Sequence, residues 1–170
     1  MAYLRLSSGI VRAFIERLDA ELPAVIAEIN ADVPDGEEIE APKAIFPMVP
    51  SPGLLVDYPT VGFRWMPSRL EDDTGGSATG VHELACVYFL VNPDLEMLGW
   101  QLAHYASALT TVLLRDRRIG SGAANGDGAW GLTFLNWLPG PTLGDSDDPE
   151  NVKTYLSYGA VVLRCKRDEL

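Results

Sequence analysis

The sequence predicts an α+β domain, in which a mostly antiparallel sheet of about four strands packs against an N-terminal helix and one long central helix. Two observations lead to this prediction. Two segments carry apolar residues at the three- to four-residue spacing of an amphipathic helix, and four shorter segments alternate apolar and polar residues or are continuously apolar. Their order is helix, extended region, strand, strand, helix, strand, strand, which is typical of an α+β domain.

The first predicted helix covers residues 7 to 33, and Ser7 or Ser8 can cap it. Pro23 is expected to kink this helix or to start a second one, because proline cannot donate the interior hydrogen bond. The apolar stripe at four-residue spacing consists of Ile10, Phe14, Leu18 and Leu22.

The second predicted helix, over residues 93 to 115, is the clearest element in the chain. Asn92 is expected to cap it, with Pro93 at the first helical position and Asp94 in the first turn. A long apolar stripe predicts that one side of this helix is buried. The stripe consists of Leu95, Leu98, Leu102, Tyr105, Leu109, Val112 and Leu113.

Four strands and the loops between them account for the rest of the chain. The strand at 81–91 is apolar on both faces in its second half, which predicts a central strand covered on both sides. Residues 34–59 hold six prolines and are expected to form an extended connection with short strand pieces. The other strands are predicted at 60–69, 130–138 and 153–167, and polar or glycine-rich loops at 70–80, 120–131 and 139–151.

Length and composition indicate a single domain over residues 1–170. The chain has 24 acidic and 13 basic residues, and its formal charge of −11 argues against a protein that binds nucleic acid by neutralising phosphates. No apolar run is long enough for a membrane-spanning helix, and we expect no signal peptide. Cys86 and Cys165 lie in strand-like runs and are expected to be buried free thiols.

The sequence "HELAC" at residues 82–86 resembles the zinc-binding pattern HExxH without its second histidine. If these residues form a strand, His82 and Cys86 share a face but lie about 13 Å apart, too far for one zinc ion. Glu83 then points to the opposite face. Valine and aromatic residues favour the strand, so we expect a structural role here; a metal-assisted hydrolase using His82, Glu83 and Cys86 is the alternative.

The other candidates for chemistry are weaker. His104, on the second predicted helix, is expected to be solvated or to lie at a contact between subunits. The glycines of 120–128 have neither the spacing nor the position of a phosphate-binding loop. We therefore predict no catalytic residue, no cofactor and no metal ligand, and we do not expect an enzyme.

Three short motifs, taken in order, carry a resemblance to a known family. They are the "YP-x-V" entry into the strand at 60–69, the passage from the 81–91 strand into the helix with Asp94, and the "Y-x-x-A-L" segment from Tyr105 to Leu109. Their order and spacing over about residues 5 to 167 resemble the tail-terminator (tail-completion) proteins of long-tailed bacteriophages and related neck proteins. The proline-rich insert at about 34–59 and the loop 139–151 depart from that pattern.

The resemblance implies a structural virion protein, assembled in the host cytoplasm, that forms a hexameric ring at the head-proximal end of the tail. Such a ring ends tail-tube polymerisation and joins the tail to the head connector. Its expected partners are further copies of itself, the tail tube protein and the connector or neck protein, while DNA passes through without specific binding. The acidic surplus agrees with a pore that repels DNA.

The loops 68–80 and 119–129 are natural arms for reaching a neighbouring subunit. Within them we predict that five polar residues lie at the pore or at a subunit contact: Glu71, Asp72, Asp73, Asn125 and Asp127. Two alternatives stay open beside the tail terminator. One is a head-completion or connector protein of the same virion, and the other is a monomeric α+β binding module. We expect no membrane partner in any of these cases.

Overall fold

The computed structural model describes residues 8–51, 57–66, 69–72, 78–119 and 130–167. Within them, two helices pack on a seven-stranded sheet with the strand order β1-β2-β4-β7-β6-β5, and β3 pairs with the first part of β4. Every strand pair is antiparallel except β1 with β2. The elements are α1 Ser8–Asn30, β1 Ala44–Phe46, β2 Thr60–Trp65, β3 Arg69–Asp72, β4 Ala78–Asn92, α2 Leu95–Arg115, β5 Arg118–Ile119, β6 Trp130–Gly144 and β7 Tyr155–Arg167.

The α+β prediction is confirmed, and the four predicted strands are β2, β4, β6 and β7. The structure also has three short strands, β1, β3 and β5, of three, four and two residues, and β1 is one of the short strand pieces expected within residues 34–59. Such short strands carry too little alternation to be recognised in the sequence, because their stability comes from the longer strands that they pair with.

Helix α1 is continuous through Pro23, so a second helix starting there is wrong. Proline removes one hydrogen bond from the helix interior. Buried apolar side chains on both sides of Pro23, such as Leu22 and Val25, hold both halves of α1 in the core and offset that loss. The predicted stripe of Ile10, Phe14, Leu18 and Leu22 is fully buried.

The N-terminus of α2 differs from the prediction by two residues. Asp94, not Asn92, is the N-cap: its Oδ1 accepts hydrogen bonds from the backbone N–H of Glu96 at 2.8 Å and of Met97 at 3.1 Å. Asn92 Oδ1 instead accepts from the backbone N–H of Asp94 at 2.7 Å. Pro93 lies between Asn92 and Asp94, outside the helix. The N-cap is Asp94 because its side chain, and not that of Asn92, reaches the free N–H groups of the first turn.

Strand β4 is buried on both faces, as predicted. Residues such as Cys86 and Tyr88 contact the helices, whereas Val87 and Phe89 belong to a smaller cluster on the opposite face of the sheet. The proline-rich segment contributes Val49 to that second cluster, and the Val49 N–H donates to the carbonyl of Phe63 at 3.0 Å. The expected extended connection with short strand pieces is therefore confirmed over its described residues.

Two predicted loops are shorter than expected. Residues 70–72 belong to β3 and 78–80 to β4, so only the middle of the 70–80 loop can connect the two strands. Strand β6 continues to Gly144, six residues beyond the predicted end at 138. Two irregularities in register, between Phe134 and Asn136 and between Pro139 and Thr142, let the prolines enter a strand whose other residues pair with β7.

Among the described residues, neither helix combines the length and the apolar composition that a membrane-spanning helix needs.

Candidate interaction surface

Strand β6 has one open edge. It pairs with β7 along most of its length, whereas β5 covers its outer edge only at residues 130 and 131. The backbone N–H of Leu132 donates to the carbonyl of Arg117 at 2.7 Å, just beyond β5. From residue 133 to 144, no strand among the described residues pairs with this edge. An unpaired edge presents free N–H and C=O groups that can pair with another chain.

The open edge is also uncharged and apolar. The 15 residues of β6 include no Asp, Glu, Lys, Arg or His, in a chain that is 22% charged. Depletion of charge and enrichment of aromatic side chains are typical of the core of protein interfaces. Four large apolar side chains of β6 are exposed to solvent: Phe134 by 38%, Trp137 by 38%, Leu138 by 45% and Leu143 by 56%. We name residues 133–144 the uncharged edge.

A hydrogen-bond chain holds the uncharged edge against the core. Trp137 Nε1 donates to the hydroxyl of Tyr88 at 2.7 Å, and that hydroxyl donates to the carbonyl of Leu102 on α2 at 2.8 Å. Burial raises the pKa of Tyr88, partly offset by the hydrogen bond from Trp137, so its hydroxyl stays protonated and remains a donor. The hydrogen bonds thus connect β6 through β4 to α2, and they hold the half-exposed indole of Trp137 in one orientation.

Two glycines allow this close packing. A Cβ at Gly159 on β7 would overlap the Tyr88 hydroxyl, and a Cβ at Gly140 on β6 would overlap the ring of Tyr158. Past Pro139, the Thr142 hydroxyl donates to Ser157 Oγ at 3.2 Å. The uncharged edge is thus ordered before any partner binds, which lowers the entropic cost of association.

The opposite edge of the sheet carries a second, smaller apolar patch on and beside β1. Phe46 is exposed by 38% and Met48 by 69%. A cavity of about 280 Å³ lies nearby, lined by residues that include Lys43, Tyr58 and Gln101. Its walls mix charged and apolar groups, and the side chain of Gln101 already donates to the carbonyl of Glu38 at 2.8 Å. Asn92 likewise donates to Gln101 Oε1 at 2.9 Å, and Lys43 Nζ lies 3.4 Å from Glu40 Oε2, so several polar groups of the lining already have partners within the chain.

The "HELAC" residues have structural surroundings. They lie in β4, so the predicted strand is confirmed, and Trp65 packs edge-on against His82 with ring centroids 6.1 Å apart. Burial lowers the pKa of His82. Glu83 is on the opposite face, where its Oε1 lies 3.9 Å from the guanidinium of Arg164. Among the described residues, no three His, Cys, Asp or Glu side chains lie close enough together to hold a metal ion.

Both cysteines are buried free thiols, as predicted. Burial raises the pKa of Cys86, and it raises that of Cys165 to about 12. Both thiols therefore stay protonated near neutral pH, which makes them poor nucleophiles and poor metal ligands.

His104 is partly buried rather than fully solvated, and the predicted contact between subunits stays a prediction. The imidazole is largely buried, and its Nε2 lies 3.0 Å from Oε2 of Glu37 in the connection after α1. No local sequence pattern predicts this contact, because 67 residues separate His104 from Glu37.

The residues predicted to lie at the pore or a subunit contact are only partly described. The backbones of Glu71 and Asp72 belong to β3, where they pair with Thr79 and Ala78. Asp73, Asn125 and Asp127 lie outside the described residues.

The structure does not bring the uncharged edge and β3 together, because they lie on opposite sides of β4 and β7. Sequence reasoning missed the uncharged edge: the absence of charge over residues 130–144 is visible in the sequence, but it does not distinguish an exposed strand from a buried one.

Comparisons with known proteins give one informative result. No family model and no curated protein matches the chain. Among solved structures, the chain is similar to one from the "Virion of native gene transfer agent (GTA) particle", with a TM-score of 0.50 and 18% sequence identity. The similarity covers 97% of this chain and 98% of that chain. At this identity, the finding shows a shared fold that extends over the whole chain.

Proposed function

We propose that this protein is a structural component of a phage-like virion that forms a ring at the head-proximal end of the tail. There it ends polymerisation of the tail tube and provides the surface that joins the tail to the head connector. The observation that carries the proposal is the end-to-end similarity in fold to a chain of a gene transfer agent virion. The order of the "YP-x-V", strand-to-helix and "Y-x-x-A-L" motifs supports the choice of tail terminator within such a particle.

The partners in this proposal are five further copies of the chain in a hexamer, the tail tube protein and the connector or neck protein. With a net charge of −11, a ring of these subunits would repel DNA in its pore and let it pass. Glu71 and Asp72 of β3, together with Asp73, Asn125 and Asp127, are proposed to lie at the pore or at subunit contacts.

The proposal gives the chain no catalytic step. Two observations support this absence of catalysis. Both thiols are buried and protonated, and His82 and Glu83 lie on opposite faces of β4.

Electron microscopy of particles made without this protein tests the role directly. We expect overlong tail tubes that are not attached to heads, and normal particles when the wild-type gene is supplied in trans. Tails of normal length that fail to attach would instead assign the protein to the neck. Full-length tails joined normally to heads would refute both roles.

A further inference from the structure

We infer that the uncharged edge of β6 is the surface on which a second copy of this chain docks, and that the docking copy contributes its β1 edge with Phe46 and Met48. The inference deepens the proposed function, since it rests on the subunit forming a ring, and it assigns the two surfaces that meet.

Charge restricts where a second copy can dock. Two copies that each carry a charge of −11 repel one another, and burying unpaired carboxylates between them would add a desolvation penalty. Close approach is least unfavourable where both surfaces lack acidic groups. The 15 residues of β6 form such a surface, and the three residues of β1, Ala44–Phe46, are also uncharged.

The positions of the two patches support a head-to-tail contact. β1 and the uncharged edge lie at opposite ends of the sheet order, so a contact between them joins two different surfaces of the chain. A contact of this kind repeats from subunit to subunit and closes into a ring when the rotation allows it. Pairing of β6 with another β6 would give a two-fold dimer, which uses the β6 edge of both copies and leaves none for a further copy.

The open stretch of β6 is long enough to accept β1. The Leu132 N–H already donates to Arg117, and Pro139 has no N–H; between them, the N–H groups of residues 133–138 that do not face β7 are the donors open to a partner strand. A strand as short as β1 fits within that stretch. Addition of a strand to an open edge combines backbone hydrogen bonds with contacts between side chains, here Leu138 with the Phe46 and Met48 patch.

Charge substitutions on the exposed side chains test the surface. Leu138→Glu and Leu143→Glu add a carboxylate to the uncharged edge, and we expect each to weaken self-association by about tenfold or more. The matched control is Leu95→Glu, because Leu95 is an equally exposed leucine at the start of α2. Self-association is measured by sedimentation equilibrium, and circular dichroism checks that each variant is folded. Equal weakening by the control, or no weakening by either β6 variant, would overturn the assignment of the surface.

Cross-linking between two variants tests which surfaces meet. Met48→Cys and Leu138→Cys are prepared separately, mixed and treated with a short bifunctional thiol reagent; the native Cys86 and Cys165 are buried. We expect cross-linked dimers mainly in the mixture. Dimers formed by Leu138→Cys alone would show two-fold pairing of β6 and overturn the head-to-tail contact.

The wild-type oligomer separates this inference from the proposed function. A chain that stays monomeric at its solubility limit and gives no cross-link in the mixture refutes docking between copies. The role in the tail is judged separately, by the lengths of tails in particles that lack the protein.

Discussion

Tyr88 and Tyr105 stack in the core with ring centroids 5.2 Å apart, yet their hydroxyl groups have different surroundings. The Tyr88 hydroxyl both accepts from Trp137 and donates to the carbonyl of Leu102. The Tyr105 hydroxyl is buried, and no group among the described residues forms a hydrogen bond with it. A buried polar group without a partner retains its desolvation penalty, so the two tyrosines should respond oppositely to loss of the hydroxyl.

Tyr105→Phe should therefore leave the free energy of unfolding unchanged or raise it by up to about 1 kcal/mol, whereas Tyr88→Phe should lower it by about 1–3 kcal/mol. Tyr88→Phe leaves Trp137 Nε1 without its acceptor. Urea denaturation of both variants and the wild type measures the difference. A larger loss for Tyr105→Phe than for Tyr88→Phe would contradict this account of the core.

His82 should make stability depend on pH. Burial lowers its pKa in the folded chain, so the unfolded chain, with an ordinary pKa of about 6.5, binds the proton more readily. The contribution of His82 is therefore fully present above about pH 6.5 and is lost as pH falls from there toward the lowered pKa.

Urea midpoints measured between about pH 7.5 and about pH 5.5 should fall more steeply for wild type than for His82→Gln. Tyr105→Phe keeps His82 and serves as the control with the wild-type slope. Identical slopes for wild type and His82→Gln would show that protonation of His82 is not linked to unfolding.

At the scale of single elements, two features of the chain depend on contacts that sequence patterns do not encode. The N-cap of α2 is Asp94 and not the predicted Asn92, because Asp94 Oδ1 reaches two free backbone N–H groups. Strand β6 runs on through Pro139 because its register irregularities and the pairing with β7 accommodate residues that sequence rules assign to a loop.

Asp94→Ala should lower the free energy of unfolding by about 1 kcal/mol, since two N–H groups lose their acceptor. Asn92→Ala should lower it less, because only one such bond, to the Asp94 N–H, is lost. Thermal denaturation of the two variants tests the corrected position of the cap. A greater loss of unfolding free energy for Asn92→Ala than for Asp94→Ala would indicate that Asn92 is the N-cap, as expected from the sequence.

Gly159→Ala should destabilise the chain by about 2 kcal/mol or more, because its Cβ would overlap the Tyr88 hydroxyl and crowd Trp137. Gly99→Ala is the matched control: its Cβ would meet no atom within 4 Å, and α2 should gain up to about 1 kcal/mol from the better helix former. Chemical denaturation measures both. Equal effects of the two substitutions would argue against close packing beneath the uncharged edge.

At the scale of the whole molecule, charge and apolar edges act in opposite directions on assembly. A surplus of 11 negative charges keeps copies apart, whereas the uncharged edge and the β1 patch favour contact at two defined places. Salt shortens the range of the repulsion but leaves apolar contacts intact.

Raising the salt concentration from about 50 to about 500 mM should therefore strengthen self-association of the wild-type chain severalfold. Sedimentation velocity at several protein concentrations provides the measurement, with Leu138→Glu as the variant that should stay dissociated at both salt concentrations. Self-association that weakens with salt would indicate that ion pairs, rather than the uncharged edge, hold the copies together.

The parts of the fold that were predictable are those with strong local patterns. The stripes of α1 and α2, and the doubly buried run of β4, follow from apolar spacing, because burial of each face depends mainly on its own residues. The contact of His104 with Glu37 and the pairing of β3 with β4 were not predictable, since each depends on a segment distant in sequence or on a partner strand.

The sequence by itself determined the fold class, the two amphipathic helices and the assignment of "HELAC" to a strand, because hydrophobic periodicity expresses which faces must leave water. Only the tertiary structure decided that β6 lies near the edge of the sheet, where no described strand pairs with the outer side of residues 133–144, while β4 and β7 fill the centre. Strand order depends on pairing between distant segments, so an uncharged apolar strand reads the same in a sequence whether it is buried or exposed. Its position in the sheet is what makes the uncharged edge available to a partner.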